Sequence, residues 1–194
     1  MTALLATGYP SPVTYATATG EPATLDAFDV PAYVEIVCGL DVSPRRIGWA
    51  IMTREEPRLL SSGTEHVSAT DDLRARRIAW QCIRNEIACV SRREHAQIVA
   101  IGIEDAYVGA FKRVAILGAL SIGNVEAFAL ASYSWILVHR FQPAEWRSAI
   151  GISTRGKTAP LEHAQTFKAG LSDQDEADAI GITLALALKL ADGH

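Results

Sequence analysis

From Tyr33 to Leu190 the chain alternates short, mostly apolar runs with longer stretches of helical period. Val34 to Leu40 is such a run, closing on Asp41, and it predicts a largely buried strand. Ser43-Pro44-Arg45 forms a turn, and Ile47 to Thr53 follows so closely that an antiparallel hairpin is the expected pairing. Arg58 to Val67 predicts a third strand, interrupted by Ser61-Ser62-Gly63. From Asp71 to Arg93, the residues Leu73, Ile78, Trp80, Ile83, Ile87 and Val90 form a 3.6-residue stripe opposite a face rich in Arg, which predicts a helix. Gln97 to Ile103 is another short apolar run, and it closes on Glu104. A long helix is expected over Phe111 to Ser132 and a fifth strand over Trp135 to His139. Pro143 opens a short helix carrying Glu145, Trp146 and Arg147. A further helix is expected from Lys157 to Gly170. The last helix is capped by Asp173, with Glu176 three residues on completing a capping box, and runs apolar to about Leu190. Three strands, helix, strand, helix, strand, helices is the order of a mixed α/β sheet covered by helices.

Residues 1 to about 30 are rich in Ala, Thr, Pro and Gly without periodicity, and read as a flexible N-terminal extension. Residues 31–194 then form one domain. At 49% hydrophobic and 21% charged residues, the 194-residue chain has a globular composition. Its formal net charge of −4 excludes a global basic field, so any contact with nucleic acid must come from local clusters. Of 18 basic residues 14 are Arg, the side chain suited to bidentate phosphate contacts. Cys38, Cys82 and Cys89 include no CxxC pair, which argues against a zinc site or a disulfide framework. Cys82 and Cys89 lie seven apart on a predicted helix and are expected to be small core residues. No basic stretch precedes the first apolar residues, and the apolar run Ala179 to Leu188 is too short to span a bilayer. A reduced, cytoplasmic protein without a membrane partner is the expectation.

Two predicted strands end in a carboxylate, Asp41 and Glu104, and ligand sites of open α/β sheets gather at strand ends. Asp175 and Asp178, three apart in Asp175-Glu176-Ala177-Asp178-Ala179, share one face of the last helix. That face also carries Ile182 and Leu186 toward the core, so Asp178 belongs at the edge of buried surface. Singly, each acid has a plainer reading: a turn residue, a solvated strand end, a first-turn acid favoured by the helix dipole. Asp178 resists most, because burying an unpaired charge is costly. Four converging carboxylates would raise each other's pKa unless cations intervened, and hard divalent cations with oxygen ligands suit them, Mg²⁺ first. Two such ions about 4 Å apart support in-line phosphoryl displacement. With no strongly basic side chain placed for proton abstraction, a metal-activated water is the candidate nucleophile.

The segments Gly39-Leu40-Asp41-Val42-Ser43-Pro44-Arg45-Arg46-Ile47-Gly48-Trp49-Ala50, Ile103-Glu104-Asp105-Ala106-Tyr107, Gly151-Ile152-Ser153 through Lys157, and Asp175-Glu176-Ala177-Asp178-Ala179 resemble RuvC-type Holliday junction resolvases. The resemblance spans residues 34 to 190. It implies a ribonuclease-H-like mixed five-stranded sheet flanked by helices. It also implies a homodimer that binds four-way DNA junctions and nicks two strands symmetrically. It places the catalytic, metal-holding acids at Asp41, Glu104, Asp175 and Asp178, with two Mg²⁺ per site and Mn²⁺ as a substitute. It sets Lys157 near the scissile phosphate and Tyr107 where an aromatic stacks at the junction centre. Val42-Ser43 departs from the family's usual Pro-Gly after the first acid. The compact length and divergent motifs look more like the bacteriophage members, whose setting is the host cytoplasm.

Further candidate DNA contacts are Lys112-Arg113, Arg147, and Arg155-Gly156-Lys157, where Gly156 lets the backbone approach a phosphate. Against these stand solvated helix turns for Lys112-Arg113 and for Arg74, Arg76 and Arg77, a core role for Trp146, and a surface position for His163. Small residues at Ala115, Gly118, Ala119, Ser121 and Gly123 permit close helix approach, against the sheet or against a twin. Three other readings compete. A broader flap or branch endonuclease would share the fold. A non-catalytic junction-binding protein would be expected to lack one of the acids. An actin-like ATPase fragment needs duplicated halves, for which the chain is too short.

Overall fold

The pattern of inward and outward residues along each strand decides which helices cover which face of the sheet. The computed structural model describes residues 15–16, 22–23, 33–68, 73–105, 112–152 and 158–193. The chain divides into two units, Met1–Tyr33 and Val34–His194. In the first, β1 (Tyr15–Ala16) pairs antiparallel with β2 (Pro22–Ala23).

The second unit holds a five-stranded mixed sheet. Its strands are β3 (Val34–Val42), β4 (Arg46–Thr53), β5 (Leu59–His66), β6 (Ala96–Glu104) and β7 (Leu137–Phe141), in the spatial order β5-β4-β3-β6-β7. The β3–β4–β5 meander is antiparallel, as short connections require, whereas β6 lies parallel to β3 and β7 parallel to β6. The parallel crossovers pass through α1 (Leu73–Glu94) and α2 (Lys112–Ser132). The remaining helices are α3 (Pro143–Ala149), α4 (Ala159–Ala164) and α5 (Gln174–Ala191).

Because side chains alternate along a strand, the sheet has two unlike faces. Ile36, Cys38, Leu40 and Val42 of β3, with Ile47, Trp49 and Ile51 of β4, form one core with Trp80, Ile83, Ile87 and Val90 of α1 and Ile122, Val125 and Ala129 of α2. On the other face Val37, Ala50, Met52 and Ala100 meet Trp146 and the largely buried middle of α5, from Glu176 to Ala187. This second face is lined with small residues, and α5 sits close on it. A Cβ on Gly39 would lie 2.3 Å from Thr183 Oγ1 and 2.5 Å from its backbone nitrogen. On Gly48 it would lie 2.0 Å from the Asp175 carbonyl oxygen. Thr183 is itself buried; its hydroxyl donates to the Ala179 carbonyl at 2.6 Å and lies 3.3 Å from that of Ala50.

The mixed sheet flanked by helices agrees with the fold expected from the sequence, and several details differ. On α1, Leu73 and Ile78 point to solvent, and Ala75, Arg76 and Ala79 take the inward places. Arg76 is therefore no part of an outer basic face. Cys82 and Cys89 are exposed rather than core residues, while Cys38 is buried. Strand β7 begins at Leu137, leaving Trp135 exposed. The helix expected over 157–170 is only the six residues of α4, and Gly170 adopts a positive φ of 75°. At α5 the Asp173 carboxylate accepts from the Glu176 N–H at 3.1 Å. Glu176 does not complete the box: its carboxylate is held by Lys168 Nζ and Ser62 Oγ, both at 2.6 Å. Ala115–Ser132 is an 18-residue helical stretch long and apolar enough, by length and composition, to cross a membrane. Its inner side joins the first core, and Ile116, Leu120 and Leu130 are exposed.

Gly39→Ala is expected to lower stability by about 1–3 kcal/mol, because the methyl group overlaps the α5 backbone. Gly123→Ala, where a Cβ meets nothing within 4 Å, should stabilise α2 by about 0.5–1 kcal/mol. Urea unfolding midpoints of the two variants check both signs.

Candidate active site

Asp41 is the penultimate residue of β3 and Glu104 the last of β6. Leu40 pairs in register with Ile103, so the two acids stand abreast on adjacent parallel strands. Leu40 and Ile103 point into the first core; by alternation Asp41 and Glu104 point to the α5 face. Across β4 the register partner of Asp41 is Gly48, the residue pressed against the first turn of α5. That contact brings the helical acids to the strand ends.

Electrostatics reflects the convergence of three acids. Burial raises the Asp41 pKa well above the usual carboxylate range, and the charges of Glu104, Asp178 and Asp175 raise it further. Glu104 is raised by burial and by Asp178, against the hydrogen bond it accepts from Trp146. Asp178 is pushed up to about 6, chiefly by burial, although Gln174 Nε2 donates to its Oδ1 at 3.0 Å. Arg147 opposes the rise at all three. Its guanidinium lies 5.1 Å from the centre of the Trp146 ring, and the Trp146 indole N–H donates to Glu104 Oε2 at 2.5 Å.

The fourth expected acid is placed differently. Asp175 Oδ2 lies 2.9 Å from Arg46 Nε, and the same guanidinium also grips the Asp173 carboxylate through Nη2. Asp175 is raised by burial, with Arg46 pulling it back down. Among the described residues no group of three or more His, Cys, Asp or Glu stands close enough to form a ready metal cage. The donor set of Asp41, Glu104 and Asp178 is nonetheless all-oxygen and mutually repulsive, the chemistry a hard divalent cation answers.

Of the other expected contacts, Arg147 lies beside the acids. Tyr107, Arg155 and Lys157 lie outside the described residues, as do the side chains of Lys112 and Arg113. His163 is half-buried, its ring centre 5.7 Å from that of Phe167. Sequence reasoning misses Arg46 and the Trp146–Glu104 bond. Arg46 sits within the motif around Asp41, so its proximity is readable; its partner is not. Trp146 is the core residue expected, at 0% exposure, but nothing in its spacing ties α3 to the end of β6.

No protein-family model and no curated sequence matches this chain. Solved structures do. RuvC of Thermus thermophilus in complex with Holliday junction substrate superposes with a TM-score of 0.62 at 17% identity, covering 82% of this chain and 96% of that one. A second Thermus thermophilus RuvC structure gives 0.61 at 18%, covering 81% and 96%. The fold is that of RuvC, a ribonuclease-H-like sheet flanked by helices.

A carboxylate whose folded pKa is raised from 3.8 to about 6 destabilises the fold once ionised. Without divalent cation, the Asp178 contribution is harmless below pH 4. As pH rises from about 4 to about 6 the carboxyl ionises against the preference of its folded surroundings, and stability is lost progressively. Asp178→Asn should therefore be more stable than wild type at pH 7 by on the order of 1–3 kcal/mol and equal to it near pH 3. Calorimetric melting in EDTA across that range measures the difference.

Proposed function

We propose that this chain is a divalent-metal-dependent endonuclease that resolves four-way DNA junctions by paired nicks. The observation that carries the reading is that Asp41 and Glu104 stand abreast at the ends of β3 and β6 and, with Asp178 of α5, raise one another's proton affinities. The shared fold with a protein solved on Holliday junction substrate supports it. Those three acids, with Asp175, are the groups that would hold the metal. Mg²⁺, two ions per site with Mn²⁺ as a substitute, supplies Lewis-acid activation of water and relief of charge on the leaving oxygen when bound.

The residues of the chain have separate tasks. Asp41, the most strongly desolvated of the acids, anchors the site, and α5 brings the charge of Asp178 within its influence. Arg46 holds Asp175 on the first turn of α5. Arg147 offers a cation at the mouth of an acidic site, where a phosphodiester must approach against repulsion. Lys157, Arg155, Lys112 and Arg113 are further phosphate contacts in this reading, and Tyr107 stacks at the junction centre. The exposed Ile116 and Leu120, near the open position at Gly123, make the outer side of α2 the face for a second copy. A two-fold pair would present two sites to the two symmetric arms of a junction.

With Mg²⁺ and labelled DNA, wild type should cut a four-way junction in preference to flap, fork or duplex. Asp41→Asn should bind the junction and lose cleavage by several orders of magnitude. Undiminished cleavage by that variant removes the mechanism, and preference for flaps or forks moves the substrate to other branched DNA. Separately, Leu120→Glu should convert a dimer to a monomer in sedimentation velocity.

A further inference from the structure

Trp146 is fully buried, yet its one polar atom is spent on a site carboxylate rather than on a backbone carbonyl. The indole is a donor only and cannot exchange roles as a hydroxyl can. Its ring is confined by neighbours on α5 and by the adjacent Arg147. A Cβ on Gly181 of α5 would lie 2.5 Å from Trp146 Cζ3, so helix and ring are in close contact, and the Arg147 guanidinium stacks above the ring. Pro143 stands in the first turn of α3, whose start is fixed by Gln142 and Glu145. The N–H therefore has one direction available, and Glu104 Oε2 occupies it.

Resting on the reading of Asp41, Glu104 and Asp178 as cation ligands, we propose that Trp146 is a positioning residue that fixes the rotamer in which Glu104 would hold the cation. Glu104 is the last residue of its strand, and its side chain is the longest of the three acids. It has the most rotameric freedom to lose on binding, so a rigid donor acts where preorganisation matters most. A tryptophan that only filled space would affect stability and leave the cation's affinity unchanged.

The test replaces Trp146 in the full chain by benzothienylalanine, which keeps the ring's shape and removes the N–H, with Trp146→Phe as a second variant. Mn²⁺ binding followed by electron paramagnetic resonance should weaken about 10–100-fold in both. The Mg²⁺ concentration for half-maximal junction cleavage should rise by a similar factor, with junction affinity in EDTA unchanged. In a Glu104→Gln background neither replacement should weaken Mn²⁺ binding further. Folded variants that bind Mn²⁺ as wild type does overturn the proposal alone. A wild-type chain that binds no Mn²⁺ overturns it together with the metal reading. Wild type that binds Mn²⁺ and cuts no branched DNA overturns the proposed function, and the Mn²⁺ affinities of the variants then decide the role of Trp146 by themselves.

Discussion

The approach of one helix to a side-chain-poor sheet face is the constraint on which the rest of this molecule depends. Gly39 and Gly48 lie on adjacent strands where α5 comes closest, meeting Ala179, Thr183 and the Asp175 carbonyl, while Gly102 on β6 makes room for Ile182 and Leu186. With so little side chain between them, backbone meets backbone, and dispersion and exclusion of water hold the two together. The register then leaves no freedom: the first turn of α5 lies over Gly48, which is opposite Asp41. Acids remote in sequence share a site because glycine makes room for them.

That arrangement works against itself electrostatically. Burial and mutual repulsion disfavour the ionised acids, and the small helix α3 offsets this from the side with two consecutive residues. Trp146 contributes a hydrogen bond and Arg147 a positive charge. Neither neutralises the cluster. The residual repulsion is the property that suits it to cations and to the anionic substrate they accompany.

Much of this is legible in the order of residues. Short apolar runs mark β3, β4 and β6, which are buried on both faces, while the 3.6-residue stripe of α1 and the capped, apolar course of α5 mark those helices. The acids stand out because Asp41 and Glu104 close apolar runs and Asp178 interrupts one. What is not legible depends on contacts between distant segments. The burial of Arg76, the exposure of Cys82 and Cys89, and the diversion of Glu176 to Lys168 and Ser62 depend on which distant segments pack beside them. The Trp146–Glu104 bond belongs to the same class, since periodicity reports which side is inside and is silent about what waits there.

Arg46 reaches from the start of β4 to both Asp173 and Asp175, so the leading turn of α5 is fastened by a partly exposed guanidinium fork. The acids are consequently unequal in firmness. Asp41 stands on the sheet, Glu104 accepts a hydrogen bond from buried Trp146, and Asp178 rises from the buried body of the helix. Asp175 can let go by a side-chain rotation, in an ion pair that water and salt already weaken. The site thus has a stiff floor and one yielding wall, and an arriving ion or phosphate meets its give on the side of Arg46.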